Sequence, residues 1–295
     1  MEDSTKMDVT WTVKYITEFI GTALLIIMGN GAVANVELKG TKAHAQSWMI
    51  IGWGYGLGVM LPAVAFGNVT SQINPAFTLG LAASGLFPWA HVAQYIIAQV
   101  LGAMFGQLLI VMVYRPYYLK TSNPNAILGT FSTIDNVDDN SEKTRMGATI
   151  NGFLNEFVGS FVLFFGAVAA TNIFFGSQTV NWMTNFAKQQ GADITSSDTI
   201  NQIWTSVSGA SASKMVAHLF LGFLVMGLVV ALGGPTGPGL NPARDFGPRL
   251  VHTFLPKSVL GEAKGSSKWW YAWVPVVAPI LASLAAVAIF KMLYL

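Results

Sequence analysis

From Ala43 to Tyr114 the chain carries no Asp, Glu, Lys or Arg, and further uncharged runs cover Phe157 to Ala187, Met215 to Ala243 and Trp269 to Phe290. Another extends from Phe19 to Val36, with Glu18 just ahead of it. A helix needs ~20 predominantly apolar residues to cross a bilayer, so the longest run holds two crossings and leaves a surplus. The middle of that surplus reads Gly67-Asn68-Val69-Thr70-Ser71-Gln72-Ile73-Asn74-Pro75, too polar to face lipid, and a short apolar stretch from Ala76 to Ala83 follows it. Irregular backbone survives at membrane depth only where protein buries it or it lines a water-filled cavity. The pattern therefore predicts a re-entrant loop running into a half-length helix. Spanning helices are predicted near residues 14–36, 48–66, 90–114, 150–175, 213–233 and 269–291, with polar loops from Arg115 to Gly147 and from Gly176 to Ser213.

The chain repeats itself. Glu18-Phe19-Ile20-Gly21 returns as Glu156-Phe157-Val158-Gly159, and Asn74-Pro75-Ala76 returns as Asn241-Pro242-Ala243. The two landmarks stand farther apart in the second copy, which places an insertion at about 176–213. An odd number of spans precedes the second copy, so the halves enter the membrane from opposite sides, as in inverted-repeat transport proteins. The expected architecture is an all-α membrane protein of six transmembrane helices plus two re-entrant half-helices. It forms a single domain over 1–295, with a first repeat at about 14–114 and a second at about 150–292. The two half-helices are expected to meet at the midplane.

Composition narrows the possibilities. The chain is 53% hydrophobic and 10% charged, far below the ~25% charged content of soluble domains. Sixteen Lys and Arg against fourteen Asp and Glu leave a net charge of +2, gathered in a few segments, so there is no basic face for nucleic acid. Without cysteine there is no disulfide, thiolate metal site or thiol nucleophile. His44, His91, His218 and His252 lack metal-ligand spacing. Neither metal, cofactor nor catalysed reaction is expected. Residues Met1 to Thr10 include Glu2, Asp3, Lys6 and Asp8 and lack the features of a signal peptide, so the amino terminus is expected to stay in the cytoplasm.

An isolated Asn-Pro is an ordinary helix start, since Asn caps free N–H groups and Pro suits the first helical position. Here the motif occurs twice, at matching places in a repeat and inside uncharged runs. Two half-helices meeting by their amino termini would place two positive dipole ends at the bilayer centre. Arg244, directly after the second motif, would cost ~2.5 kcal/mol or more if it faced lipid, so it must face protein or water. The glycines at 21, 56, 58, 102, 106, 159, 222 and 227 suit close helix contacts.

These residues resemble the aquaporin family and, within it, the glycerol facilitators, over nearly the whole chain from about Tyr15 to Tyr294. Asn241-Pro242-Ala243-Arg244-Asp245-Phe246-Gly247-Pro248-Arg249 is similar to the second signature of glycerol-conducting members, where Asp follows the filter Arg; strict water channels usually have a smaller neutral residue there. The resemblance implies that Asn74 and Asn241 donate hydrogen bonds to the permeant molecule, with an acceptor ladder of loop carbonyls. It implies a selectivity filter of Tyr55, Val229, Pro238 and Arg244, and loop support by Glu18, Glu156 and Asp245. Water-selective members carry His where this chain has Val229, and familiar glycerol facilitators carry an aromatic residue at Pro238 and Trp near Tyr55. The departures at Pro238 and Tyr55 imply a somewhat wider or less greasy constriction. Gln72 stands where many relatives have His.

The function expected is a passive channel for water, glycerol and other small uncharged solutes, such as dihydroxyacetone, urea or protonated lactic acid, that excludes protons and ions. The resemblance also implies a homotetramer in the cell membrane with both termini cytoplasmic. Most of the sixteen Lys and Arg then lie on the outer side, against the positive-inside tendency. Two other classes stay open: an inverted-repeat transporter coupled to protons through Glu18 and Glu156, and a membrane scaffold with a closed pore.

Overall fold

The computed structural model describes residues 9–175, 188–189, 191, 211–237 and 239–294. Among the described residues the elements are helices: α1 (Trp11–Glu37), α2 (Met49–Phe66), α3 (Pro75–Ala83), α4 (Val92–Tyr118), α5 (Pro124–Gly129), α6 (Arg145–Phe175), α7 (Ser211–Thr236), α8 (Pro242–Phe254), α9 (Lys257–Leu260) and α10 (Val274–Tyr294). Six of them, α1, α2, α4, α6, α7 and α10, are long and apolar enough to cross a membrane. The two short helices that begin at the Asn-Pro motifs, α3 and α8, both pack against α4 and α10.

Helix ends follow local capping more than charge. Thr10 caps α1 by accepting from the Val13 N–H at 3.4 Å, so the helix starts earlier than the apolar run. Pro275 holds the second position of α10, where a missing N–H costs nothing, and the segment Trp269 to Trp273 forms turns instead of the predicted helix start. The predicted loop from Arg115 to Gly147 is corrected twice. First, α4 continues through Arg115 to Tyr118, a turn past the expected end. Second, α5 forms inside the loop, with Asn123 accepting from the N–H groups of Asn125 and Ala126 and Pro124 in the first position. It is a third Asn-Pro start. Most of the predicted insertion at 176–213 lies outside the described residues, and α7 already begins at Ser211.

Glycine spacing sets how the spans pack. Along α2, Gly54 and Gly58 lie one turn apart and meet α1 at Met28, Ala32 and Leu25, while Gly52 and Gly56 meet α7 at Met226, Val230 and Gly222. Residues four apart share a helix face, so two interleaved pairs put α2 in close contact with both neighbours. Gly102 and Gly106 do the same for α4, where an added methyl would overlap the carbonyl oxygens of Phe19 and Ala23 on α1. In lipid such close packing of small residues replaces the hydrophobic effect as the source of helix association.

Gly102→Leu therefore forces α1 and α4 apart. It is expected to cost ~3 kcal/mol, the upper end for overpacking, read as a lower thermal transition of the detergent-solubilised protein. A variant melting with the parent would show that these backbones are not in contact.

Candidate functional site

The site is built where α3 and α8 begin. Asn74 and Asn241 are the N-caps, each in extended backbone, with Pro75 and Pro242 in the first helical positions. Asn74 Oδ1 accepts from the Ala76 N–H at 3.0 Å, and Asn241 Oδ1 accepts from Ala243 N–H at 3.0 Å and Arg244 N–H at 3.3 Å. With the oxygens fixed on their own helices, the amide nitrogens reach across: Asn74 Nδ2 donates to the Leu240 carbonyl at 2.9 Å and Asn241 Nδ2 to the Ile73 carbonyl at 2.7 Å. This reciprocal pair ties the two helix starts together. A carboxamide nitrogen carries two hydrogens, so each Asn keeps a second N–H. Ala76 and Ala243 are fully buried behind them.

The residue ahead of each Asn has positive φ, 44° at Ile73 and 56° at Leu240, a conformation that β-branched Ile adopts rarely. Buried carboxylates hold both. Glu18, from α1, accepts from Gln72 N–H, Ile73 N–H and Thr70 Oγ1, each at 2.7 Å, and Gln99 Nε2 adds a fourth donor at 2.8 Å. Glu156, from α6, accepts from Leu240 N–H at 2.7 Å and Thr236 Oγ1 at 3.2 Å. Its carboxylate fills the space a side chain at Gly239 would need.

Around the Asn pair lies a series of cavities, each sharing lining residues with the next. At one end a cavity of about 290 Å³ is lined by Glu37, Trp48, Asn123, Asp135, Thr133 and Arg244, among others. Arg244 also lines the next, of only about 40 Å³, with Tyr55, Val229, Gly239, Asn74 and Asn241. A third, of about 50 Å³, shares both Asn residues with the second and extends to Ser71, Gln72 and Phe77. Those three residues also line a cavity of about 280 Å³ at the other end, with Gly67 and His218. The narrow middle is two-sided. Asn74, Asn241 and Arg244 supply polar groups, whereas Leu25, Val59, Leu163, Val225 and Val229 supply an apolar wall.

Arg244 is 1% exposed. Its Nη1 donates to the Phe131 carbonyl at 2.9 Å and its Nη2 to the Tyr55 hydroxyl. Val229 is fixed through its own carbonyl, which accepts from Trp48 Nε1 at 2.8 Å. The segment carrying Phe131 is clamped in turn. Asp245 Oδ2 accepts from the Thr133 N–H at 2.7 Å and its hydroxyl at 2.8 Å, and Arg249 donates to the Thr133 carbonyl at 2.7 Å. Asp245 and Arg249 form a fully buried ion pair at 2.8 Å. Farther out, Lys268 pairs with Asp138 at 2.5 Å and bonds Asn125.

The structure thus brings Tyr55, Val229, Arg244, Asn74 and Asn241 around one narrow cavity, with Glu18, Glu156 and Asp245 behind it. Pro238 lies outside the described residues. Sequence reasoning missed Phe131, Trp48, Asn30 and Gln107. Phe131 acts through its backbone carbonyl and leaves no sequence mark, but Asn30, Gln99 and Gln107 are polar residues inside apolar spans, a recognised sign of interior contacts.

A family model described as "Major intrinsic protein" matches residues 5–181 and 175–290. The glycerol facilitator-aquaporin of Lactococcus lactis subsp. cremoris is 92% identical over 289 residues, covering 98% of this chain and 100% of that protein. Glycerol uptake facilitator protein-like 5 of Lactiplantibacillus plantarum is 41% identical over 292 residues, covering 97% and 98%. Among solved structures, the aquaglyceroporin from Plasmodium falciparum aligns with a TM-score of 0.66 and 21% identity over 96% of each chain, a likeness of fold.

Asp245→Asn leaves Arg249 as a buried charge without its partner. A loss of ~3–5 kcal/mol is expected, the cost of breaking a buried pair from one side, seen as a fall in the thermal transition. An unchanged transition would mean that the pair does not hold the segment around Thr133.

Proposed function

The chain belongs to the major intrinsic protein family, and on that footing we propose that it is a passive membrane channel for glycerol, water and other small uncharged solutes, closed to protons and ions. One observation carries the reading: the reciprocal Asn74–Asn241 pair sits in the narrow middle of a cavity chain that widens at both ends. A hydroxyl-bearing solute entering from the outer cavity meets donors from Arg244, then the spare N–H groups of Asn241 and Asn74, while its carbon skeleton lies on the Leu25, Val59, Val225 and Leu163 wall. The relatives' names, glycerol facilitator-aquaporin and glycerol uptake facilitator, agree in naming glycerol.

Charge exclusion follows from the same parts. Each half-helix amino terminus carries roughly half a positive charge, Arg244 adds a full one, and among the described residues no carboxylate lines the two narrow cavities. A cation would shed water only to meet positive potential. A proton hopping along water is interrupted because both Asn residues donate to the central molecule, turning its neighbours in opposite directions. Proton coupling through Glu18 and Glu156 has less support, since both carboxylates are taken up by N–H and O–H donors of the loops they hold.

Val229 in place of a ring, with Tyr55 beside it, suits further small uncharged solutes of glycerol's size or less, including dihydroxyacetone, urea and protonated lactic acid. We assign the protein to the cell membrane with both termini inside, as a homotetramer with a pore in each subunit. No reaction is catalysed.

In proteoliposomes, stopped-flow light scattering is expected to show glycerol and water both crossing, linearly in gradient and independent of proton potential. Glycerol permeability equal to that of empty liposomes sinks the proposal. Val229→His is expected to lower glycerol permeability about tenfold while water still crosses; equal glycerol flux in the variant would remove Val229 from the constriction.

Electrical silence is tested by recording membrane current and internal pH during solute flux. The unmodified channel is expected to pass neither protons nor sodium, and Arg244→Ala and Asn74→Asp to admit measurable current. Current of similar size in the unmodified protein refutes the barrier described here.

A further inference from the structure

Asn30 lies on α1, is fully buried and lines none of the cavities described above, yet it contacts both groups that hold Arg244. Tyr55 donates its hydroxyl proton to Asn30 Oδ1 at 2.5 Å, and Asn30 Nδ2 donates to the Phe131 carbonyl at 3.4 Å. Arg244 donates to that same carbonyl and to the Tyr55 hydroxyl. The four groups close a ring. Gln107, from α4, accepts from Asn30 Nδ2 at 2.6 Å.

The direction of every bond in the ring is forced. A guanidinium only donates and a phenol has one proton, so Tyr55 must accept from Arg244 and give its proton to Asn30. Asn30 can take that proton only through Oδ1, and the Phe131 carbonyl, which can only accept, draws Nδ2 the other way, where Gln107 Oε1 also accepts from it. Two consequences reach the pore. Tyr55 has no proton left for a passing solute, and the Arg244 guanidinium is held at two nitrogens instead of swinging into the opening.

We infer that Asn30, oriented by the Phe131 carbonyl, is a positioning residue that sets solute discrimination at the constriction by taking the Tyr55 proton and holding Arg244 through it. This rests on the channel reading above. A plain packing role for Asn30, bridging α1 to α4 as polar residues do between membrane helices, would weaken the protein without changing which solutes it prefers.

The test uses the full chain in proteoliposomes and reads the ratio of glycerol to water permeability in Asn30→Leu, Tyr55→Phe and the double variant. Asn30→Leu is expected to raise the ratio about threefold or more, and Tyr55→Phe to raise it likewise, since contacting residues couple on this scale. Because Asn30 acts through the Tyr55 hydroxyl, the double variant should exceed Tyr55→Phe by nothing measurable. A folded Asn30→Leu channel with both permeabilities scaled down and the ratio unchanged overturns the proposal, as does a double variant whose shift is the product of the two single shifts. Where Asn30→Leu does not fold, Asn30→Ser, too short to reach the hydroxyl, takes its place with the same expected and overturning outcomes. Absence of glycerol flux in the unmodified protein would instead sink the channel reading, so the two failures are told apart.

Discussion

Backbone N–H groups that leave a helix at membrane depth have no water to turn to, and each one unsatisfied costs several kcal/mol. The rest of the structure depends on how Glu18 and Glu156 meet that demand. By accepting from Gln72, Ile73 and Leu240, they keep Ile73 and Leu240 at positive φ. That conformation aims the carbonyls of these residues at the opposite Asn amides. The cross-links join the starts of α3 and α8, and the narrow passage forms beside them. Both carboxylates are engaged by N–H and O–H groups of the segments that lead into the half-helices.

A second constraint acts on side chains. Arg244 would be costly in lipid, and its environment is assembled from three directions: the Phe131 carbonyl from the α5–α6 connection, Tyr55 from α2 and Asn30 from α1. The α5–α6 connection stays in place because Asp245 and Arg249, one turn apart on α8, seize the backbone of Thr133. Asp245 therefore reaches the constriction through Thr133 and Phe131 rather than by facing the solute.

Much of this was legible in the sequence because it was written twice. The paired Glu-Phe and Asn-Pro-Ala landmarks located both half-helices, and the polar surplus in the long uncharged run showed that chain was left over inside the membrane. What stayed hidden has physical reasons. A carbonyl such as that of Phe131 belongs to no residue type, so its role appears only in three dimensions. Asn30 and Gln107 were visible as polar residues in apolar spans, but their pairing depends on α1 and α4 packing through Gly102 and Gly106. The short helix α5 was overlooked although Asn123-Pro124 repeats the start signal used elsewhere. Charge proved a poor guide to helix ends, as the extension of α4 past Arg115 shows.

The unequal size of the cavities bears on how flows combine. Mouths of about 290 and 280 Å³ enclose stretches of about 40 and 50 Å³, room for only a few water molecules, each of which needs ~10–15 Å³ by the same measure. In the proposed channel a polyol cannot overtake the water ahead of it; it must push that water out. Solute and solvent then drag one another, and an osmotic gradient of a permeant polyol draws less water than an equal gradient of an excluded one. In the language of membrane transport the reflection coefficient of such a polyol falls below one.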